Sequence, residues 1–189
     1  MLRKLAVGPY QANCYILGCG RSSEAVVMDP GDEAFRIVQE LSRNGLTVRR
    51  ILLTHGHMDH TGAVDEVRRI TGAPVAIHPL DAQGAGCRID ESLQDGQELW
   101  AGTYRIRVLH TPGHSPGGVC FHAPGAVFTG DTLFAGSVGR TDFPGGDHAL
   151  LVRGVKEKVF PLGDGLRIYP GHGPDSTVGR ERTTNPFFA

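Results

Sequence analysis

The stretch Thr54-His55-Gly56-His57-Met58-Asp59-His60 puts three histidines and an aspartate within six positions, directly after the apolar run Ile51-Leu52-Leu53. Imidazole nitrogens suit zinc and iron, and a carboxylate adds a hard oxygen ligand. In an extended segment side chains alternate, so His55, His57 and Asp59 are expected to point to one side. A turn into a helix would then bring His60 in from another angle. Such a density of ligands in one turn points to a bound metal.

Three more candidate ligands stand where apolar runs give way to glycine-bearing turns. They are His114 in Thr111-Pro112-Gly113-His114-Ser115, Asp131 in Thr129-Gly130-Asp131-Thr132, and His172 in Tyr169-Pro170-Gly171-His172-Gly173. Five histidines and two aspartates exceed what one tetrahedral ion uses. They match a two-metal site, in which ions about 3.5–4 Å apart lower the pKa of bound water towards ~7 and polarise a carbonyl. A merely structural zinc closes with four ligands, so a binding protein with such a metal fits the set poorly.

Delivering these ligands to one place falls to a mixed set of strands and helices. Leu2 to Val7, Cys14 to Leu17 and Ala25 to Met28 read as short strands between turns. After Asp29-Pro30-Gly31-Asp32, the residues Phe35, Ile37, Val38 and Leu41 recur at helical spacing up to Asn44-Gly45. Val48 to Leu53 is a strand leading into the histidine cluster. Val64, Val67 and Ile70 mark one face of a helix that ends near Gly72, and Val75 to Ile77 is a further strand. Gln97 to Leu109 reads as a hairpin, and Gly118 to Phe121 with Ala126 to Thr129 as a second pair. His148 to Phe160 reads as a helix burying Leu150, Leu151, Val155 and Val159, before a last strand from Arg167 to Tyr169. Strands in runs with helices between the runs indicate an α+β chain.

The 189 residues, 40% hydrophobic and 21% charged, suit a single soluble domain over 1–189, with no internal repeat and no linker. A net charge of −1 offers no basic surface for nucleic acid. No stretch approaches the ~20 apolar residues of a membrane span. The beginning, Met1 to Tyr10, has no apolar region of the kind a signal peptide carries, so a cytoplasmic location is expected. Cys14, Cys19, Cys87 and Cys120 form no C-x-x-C pair and read as reduced thiols, mostly in the core.

The order H-x-H-x-D-H, then a separate His, a separate Asp and a final His resembles the metallo-β-lactamase fold superfamily over nearly the whole chain. That resemblance implies an αββα sandwich with metals at one edge between the two sheets. It implies a first metal on His55, His57 and His114, a second on Asp59, His60 and His172, and Asp131 bridging them. Two divalent ions are implied, zinc first, with iron or manganese as alternatives. Asp59 and Asp131 then take part in catalysis as well as in holding the ions. Asp29, in Met28-Asp29-Pro30-Gly31, matches a family position whose carboxylate orients a metal-binding histidine; the alternative is a turn or capping residue.

Within the superfamily, Asp131 stands where a true β-lactamase typically has Cys or Ser, and His57 stands where the flavodiiron group has Glu. The absence of a basic patch speaks against the RNA-processing relatives. The string from Asp131 to Asp147, including Gly139-Arg140-Thr141-Asp142-Phe143-Pro144-Gly145-Gly146, resembles the glyoxalase II-like, hydroxyacylglutathione hydrolase-type branch. So does the ending Gly179 to Phe188. The implied reaction is hydrolysis of a small-molecule thioester, such as S-lactoylglutathione, by metal-bound hydroxide. The chain ends 17 residues after His172 and so resembles the short subgroup that lacks the C-terminal helical region, which leaves glutathione specificity open. The string Gly139 to Phe143 also occurs in persulfide dioxygenases of the superfamily, whose single iron would here sit on His55, His114 and Asp131; the Pro144 to Asp147 continuation favours the hydrolase. Arg140 is the candidate for gripping a substrate carboxylate, since guanidinium matches carboxylate geometry, and its alternative is an ion pair with Asp142 or Asp147. Phe143 and Phe134 are expected to line the cleft or pack in the core. His78, His110, His122 and His148 read as surface or packing residues, with His78 a possible pocket wall.

Overall fold

The computed structural model describes residues 1–188. Its first half builds a six-stranded sheet from β1 (Leu2–Val7), β2 (Ala12–Gly18), β3 (Glu24–Met28), β4 (Thr47–Leu52), β5 (Val75–Ile77) and β6 (Glu91–Ser92), bonded in chain order. Pairing is antiparallel from β1 to β3 and parallel from β3 to β6. The second half adds β7 (Glu98–Ala101), β8 (Tyr104–His110), β9 (Val119–Ala123), β10 (Ala126–Gly130), a small hairpin of β11 (Leu133–Phe134) and β12 (Ser137–Val138), then β13 (Arg167–Pro170) and β14 (Ser176–Thr177). The second sheet runs in the order β14-β13-β10-β9-β8-β7. Five α-helices complete the chain: α1 (Ala34–Arg43), α2 (Met58–Thr61), α3 (Val64–Thr71), α4 (His148–Gly154) and α5 (Val178–Thr184). None is long and apolar enough to cross a membrane.

Strands that are apolar on both faces must be covered on both faces. In β2, Cys14 and Ile16 pack outward with Ile37 and Leu41 of α1 and with Val64 and Val67 of α3. Their neighbours Tyr15 and Leu17 face inward, where they meet Phe121 and Phe128 of the second sheet. In β9 and β10, Cys120 and Val127 turn the other way, onto Leu151 of α4 and Val178 of α5. Three apolar layers therefore separate four structural ones, which is the expected αββα sandwich.

Several side chains depart from the sequence reading. Phe35 is 79% exposed and Ile70 44%, so each lies off the buried stripe of its helix. Leu150 is only partly buried. The segment expected as one helix from His148 to Phe160 is α-helical to Gly154, then makes a π-turn over Val155–Val159 and a 3-10 turn over Phe160–Leu162. The wider π-turn keeps both Val155 and Val159 buried against the sheet.

The strand directions place the ligand-bearing turns. Parallel pairing ends β3 and β4 at the same edge of the first sheet, and β10 and β13 at the same edge of the second. β8 is antiparallel to β9, and β9 to β10, so β8 ends there too. Asp29, His55, His114, Asp131 and His172 all follow these strand ends. The bridge between Ala12 and His172, with Asn13 N–H donating to the Gly171 carbonyl at 2.7 Å, ties the two sheets together beside the site.

Candidate metal centre

The motif does not continue as a strand. After Leu53 the backbone bends at Thr54 and His55 and enters α2 at Met58, so Asp59 and His60 both ride on that helix. This corrects the expectation that Asp59 would share a side with His55 and His57. The bend packs tightly: a Cβ on Gly56 would lie 2.6 Å from the Asp81 carbonyl oxygen.

Three groups of potential ligands result: His55 with His57 and His114; His55 with His60 and Asp131; and Asp59 with His60 and His172. Asp131 lies between the outer two, 3.4 Å from His60 Nε2, 3.6 Å from His114 Nε2 and 3.7 Å from His172 Nε2. The seven residues named from the sequence thus converge on one spot. His55, His114 and Asp131, the trio a single-iron dioxygenase would use, are divided between two of these groups.

Most of the histidines are oriented from behind. Asp29 is buried and accepts from Thr54 N–H at 2.7 Å, from the Thr54 hydroxyl at 2.7 Å and from His60 Nδ1 at 3.2 Å. Since the Thr54 hydroxyl gives its one hydrogen to Asp29, it can only accept from His55 Nδ1, which is 3.0 Å away. His114 Nδ1 donates to the Arg140 carbonyl at 2.8 Å, and His172 Nδ1 to the Tyr10 carbonyl at 3.2 Å. These partners hold a hydrogen on Nδ1 in all four rings and turn Nε2 towards the centre. Thr54, Tyr10 and the Arg140 carbonyl had no signal in the sequence, because a backbone acceptor leaves none and a threonine beside a histidine is common.

These nitrogens crowd one another. His57 Nδ1 lies 3.0 Å from His114 Nε2, and His60 Nε2 lies 3.3 Å from His172 Nε2. His55 Nε2 and Asp131 Oδ1 are buried with no hydrogen-bond partner. Orphaned buried polar atoms are costly, and a convergence of imidazole nitrogens and carboxylate oxygens fits a metal. Burial, followed by repulsion from His60, pushes His55 well below the usual histidine range. Burial pulls His60 down as well, yet the Asp131 and Asp29 carboxylates lift it well above that range. Asp131 loses hydration on burial, but His60, His55 and His172 hold its carboxyl well below the ordinary value.

The centre floors a cleft of about 830 Å³ whose walls include Tyr10, Phe134, Arg140 and Phe143. Phe143 sets its edge against His57, 5.4 Å between ring centres, and Phe134 stands 6.2 Å from His172. Arg140 lies over the Phe143 ring at 4.4 Å and makes a two-pronged pair with Asp142, at 3.0 and 2.8 Å. His78 does not wall the cleft. It stacks flat on His110 at 4.1 Å, while His148 packs on Phe187.

The metallo-beta-lactamase superfamily model matches residues 7–172. Among curated proteins, the chain is 36% identical to the hydroxyacylglutathione hydrolase GloC of Haemophilus influenzae, covering 97% of this chain and 95% of that one. It is 38% identical to the probable metallo-hydrolase YqgX of Bacillus subtilis, with 98% and 96% covered. Among solved structures, BLEG-1, described as a B3 metallo-beta-lactamase, superposes with TM-score 0.92 at 38% identity over both whole chains. ETHE1 from Myxococcus xanthus gives TM-score 0.90 at 30% identity, covering 98% of this chain and 83% of that one. TTHA1623, solved in a di-iron-bound form, gives 0.88 at 39%, with 98% and 99% covered. The fold, the ligand order and these likenesses together place the chain in the metallo-β-lactamase superfamily.

Proposed function

We propose that this chain is a metal-dependent hydrolase that cleaves thioesters of small thiols, a glutathione thioester such as S-lactoylglutathione being the first candidate. The observation that carries the reading is Asp131, held between two histidine-rich groups with one buried oxygen unpartnered. His55, His57 and His114 would hold one divalent ion and Asp59, His60 and His172 the second, with Asp131 between the two groups. When bound, such ions make an ionised water available near neutral pH and polarise the acyl carbonyl. Zinc is the first choice, with iron and manganese admitted by the same donors.

The remaining work falls to the chain. Asp29 and Thr54 keep His60 and His55 turned inward, and Asp59 faces the cleft, where it can take a proton from the attacking water. The water oxygen bonds to the acyl carbon, the C–S bond breaks, and the thiolate leaves with the proton the water gave up. Phe134 and Phe143 cover the reacting carbon, while Arg140 offers a guanidinium to a substrate carboxylate. The likeness to GloC supports the thioester, and that to the di-iron form of TTHA1623 supports two ions.

The likeness to ETHE1 favours a second reading, a single-iron persulfide dioxygenase. Metal content per chain, paired with an oxygen electrode, separates them. About two ions per chain and thioester cleavage under argon support the hydrolase. One iron per chain with oxygen uptake on a persulfide overturns it. A β-lactam belongs in the same assay because of BLEG-1, and turnover of it above that of thioesters also overturns the proposal.

A further inference from the structure

Asp81 lies in the 3-10 turn after β5, outside the ligand set, and its carboxylate is buried. It accepts three hydrogen bonds: from Gly56 N–H at 3.1 Å, from the Ser115 hydroxyl at 2.6 Å and from Gly117 N–H at 2.7 Å. Gly56 stands between His55 and His57, and Ser115 follows His114. One anion therefore clamps both turns that carry the His55, His57 and His114 group. A direct backbone bond between these segments runs from Val119 N–H to the Thr54 carbonyl at 2.8 Å.

The sequence makes room for this carboxylate from two sides. A Cβ on Gly117 would lie 2.7 Å from Asp81 Oδ1, and one on Gly56 would lie 2.6 Å from the Asp81 carbonyl oxygen. Ser115 is itself buried, so neither its hydroxyl nor the carboxylate is well placed to exchange partners with bulk water. A carboxylate accepting such bonds makes charge-assisted contacts about twice as strong as neutral ones.

We infer that Asp81 is a positioning residue for one half of the centre: it sets the separation of His55 and His57 from His114, and so the affinity of that group for its ion, without touching the ion. The inference rests on the two-ion reading above for its assignment of ions to groups. The Asp59, His60 and His172 group has different supports, Asp29 and the Tyr10 carbonyl.

The test is a zinc titration of the metal-free full chain, wild type against Asp81→Asn, followed by the ring ¹⁵N resonances of the five histidines. Asparagine keeps the size but turns an NH₂ towards at least one N–H that now has an acceptor. Losing an outer support of this kind typically weakens a metal by roughly 10–100-fold. That loss is expected at His55, His57 and His114 alone, with His60 and His172 saturating at the wild-type zinc concentration. A role confined to general stability lowers the melting temperature but leaves both groups binding alike. Equal weakening at both groups, or none in a folded variant, overturns the inference. If Asp81→Asn does not fold, Ser115→Ala decides: it removes one donor, and a smaller loss confined to the same group is expected. A wild-type chain that takes up one zinc refutes the two-ion reading instead, so the two failures are distinguishable.

Discussion

Replacing Asp29 by asparagine tests whether the centre is oriented from behind. Asp29 adopts a left-handed backbone conformation, φ 51°, which asparagine tolerates as well as aspartate does, so the exchange isolates the hydrogen bonds. The amide oxygen can still accept from Thr54 N–H, now at 2.7 Å. The Thr54 hydroxyl, also 2.7 Å away, can rotate to accept from the new NH₂. His60 Nδ1–H cannot adjust, because His60 is fully buried and its ring faces the other Asp29 oxygen. One charged hydrogen bond is lost, about 1.5–3 kcal/mol. In a chain of this length each kcal/mol moves the midpoint by about 2–4 °C, so the metal-free protein should melt ~3–12 °C lower. The ion on Asp59, His60 and His172 should bind roughly 10–100-fold more weakly, and the other group, which Asp29 reaches only through Thr54 and His55, should weaken less. Thermal melts in chelator and zinc titrations read the two effects separately. An unchanged midpoint together with unchanged affinity would refute the orienting role.

Arg140→Ala should raise KM for carboxylate-bearing thioesters by about two- to fivefold, the ~0.5–1 kcal/mol of an exposed ion pair, because Asp142 already occupies the guanidinium. An equal rise for neutral thioesters would rule out the clamp. Gly31→Ala should destabilise the fold by at least the ~1–3 kcal/mol of overpacking, since a Cβ there would lie 1.6 Å from the Asp59 carbonyl oxygen; a wild-type urea midpoint would contradict the packing of Gly31 on α2. The Cys87 thiol is pushed up to about 11 by burial and by Asp65. Its alkylation rate should therefore climb about tenfold per pH unit through the range where a free thiol levels off near ~8.5. A plateau there, followed by peptide mass spectrometry, would disprove the shift.

Much of this site was legible without coordinates because ligand identity is local. His, Asp and Gly clustered at strand ends announce a metal, and strands apolar at successive positions announce sheets that need cover on both faces. Phe35 and Ile70 misled for the same reason. Helical spacing marks a stripe, but which members of the stripe are covered depends on what packs there, and α1 and α3 bury only Ile37, Leu41, Val64 and Val67. Asp59 misled because the chain bends at Thr54 and His55 and enters a helix, beside a Gly56 that packs on Asp81, 25 residues away, a contact its neighbours in the motif do not reveal.

Residue type and order by themselves determined the seven candidate ligands, the α+β class and the superfamily, since each is a matter of chemistry and short-range pattern. Tertiary structure alone decided that Thr54 and the Arg140 and Tyr10 carbonyls turn three of the imidazoles inward, and that Asp81 ties two of the turns together. Those are relations between strand ends brought together by sheet pairing, and hydrogen bonds to backbone carbonyls carry no mark in the amino-acid sequence.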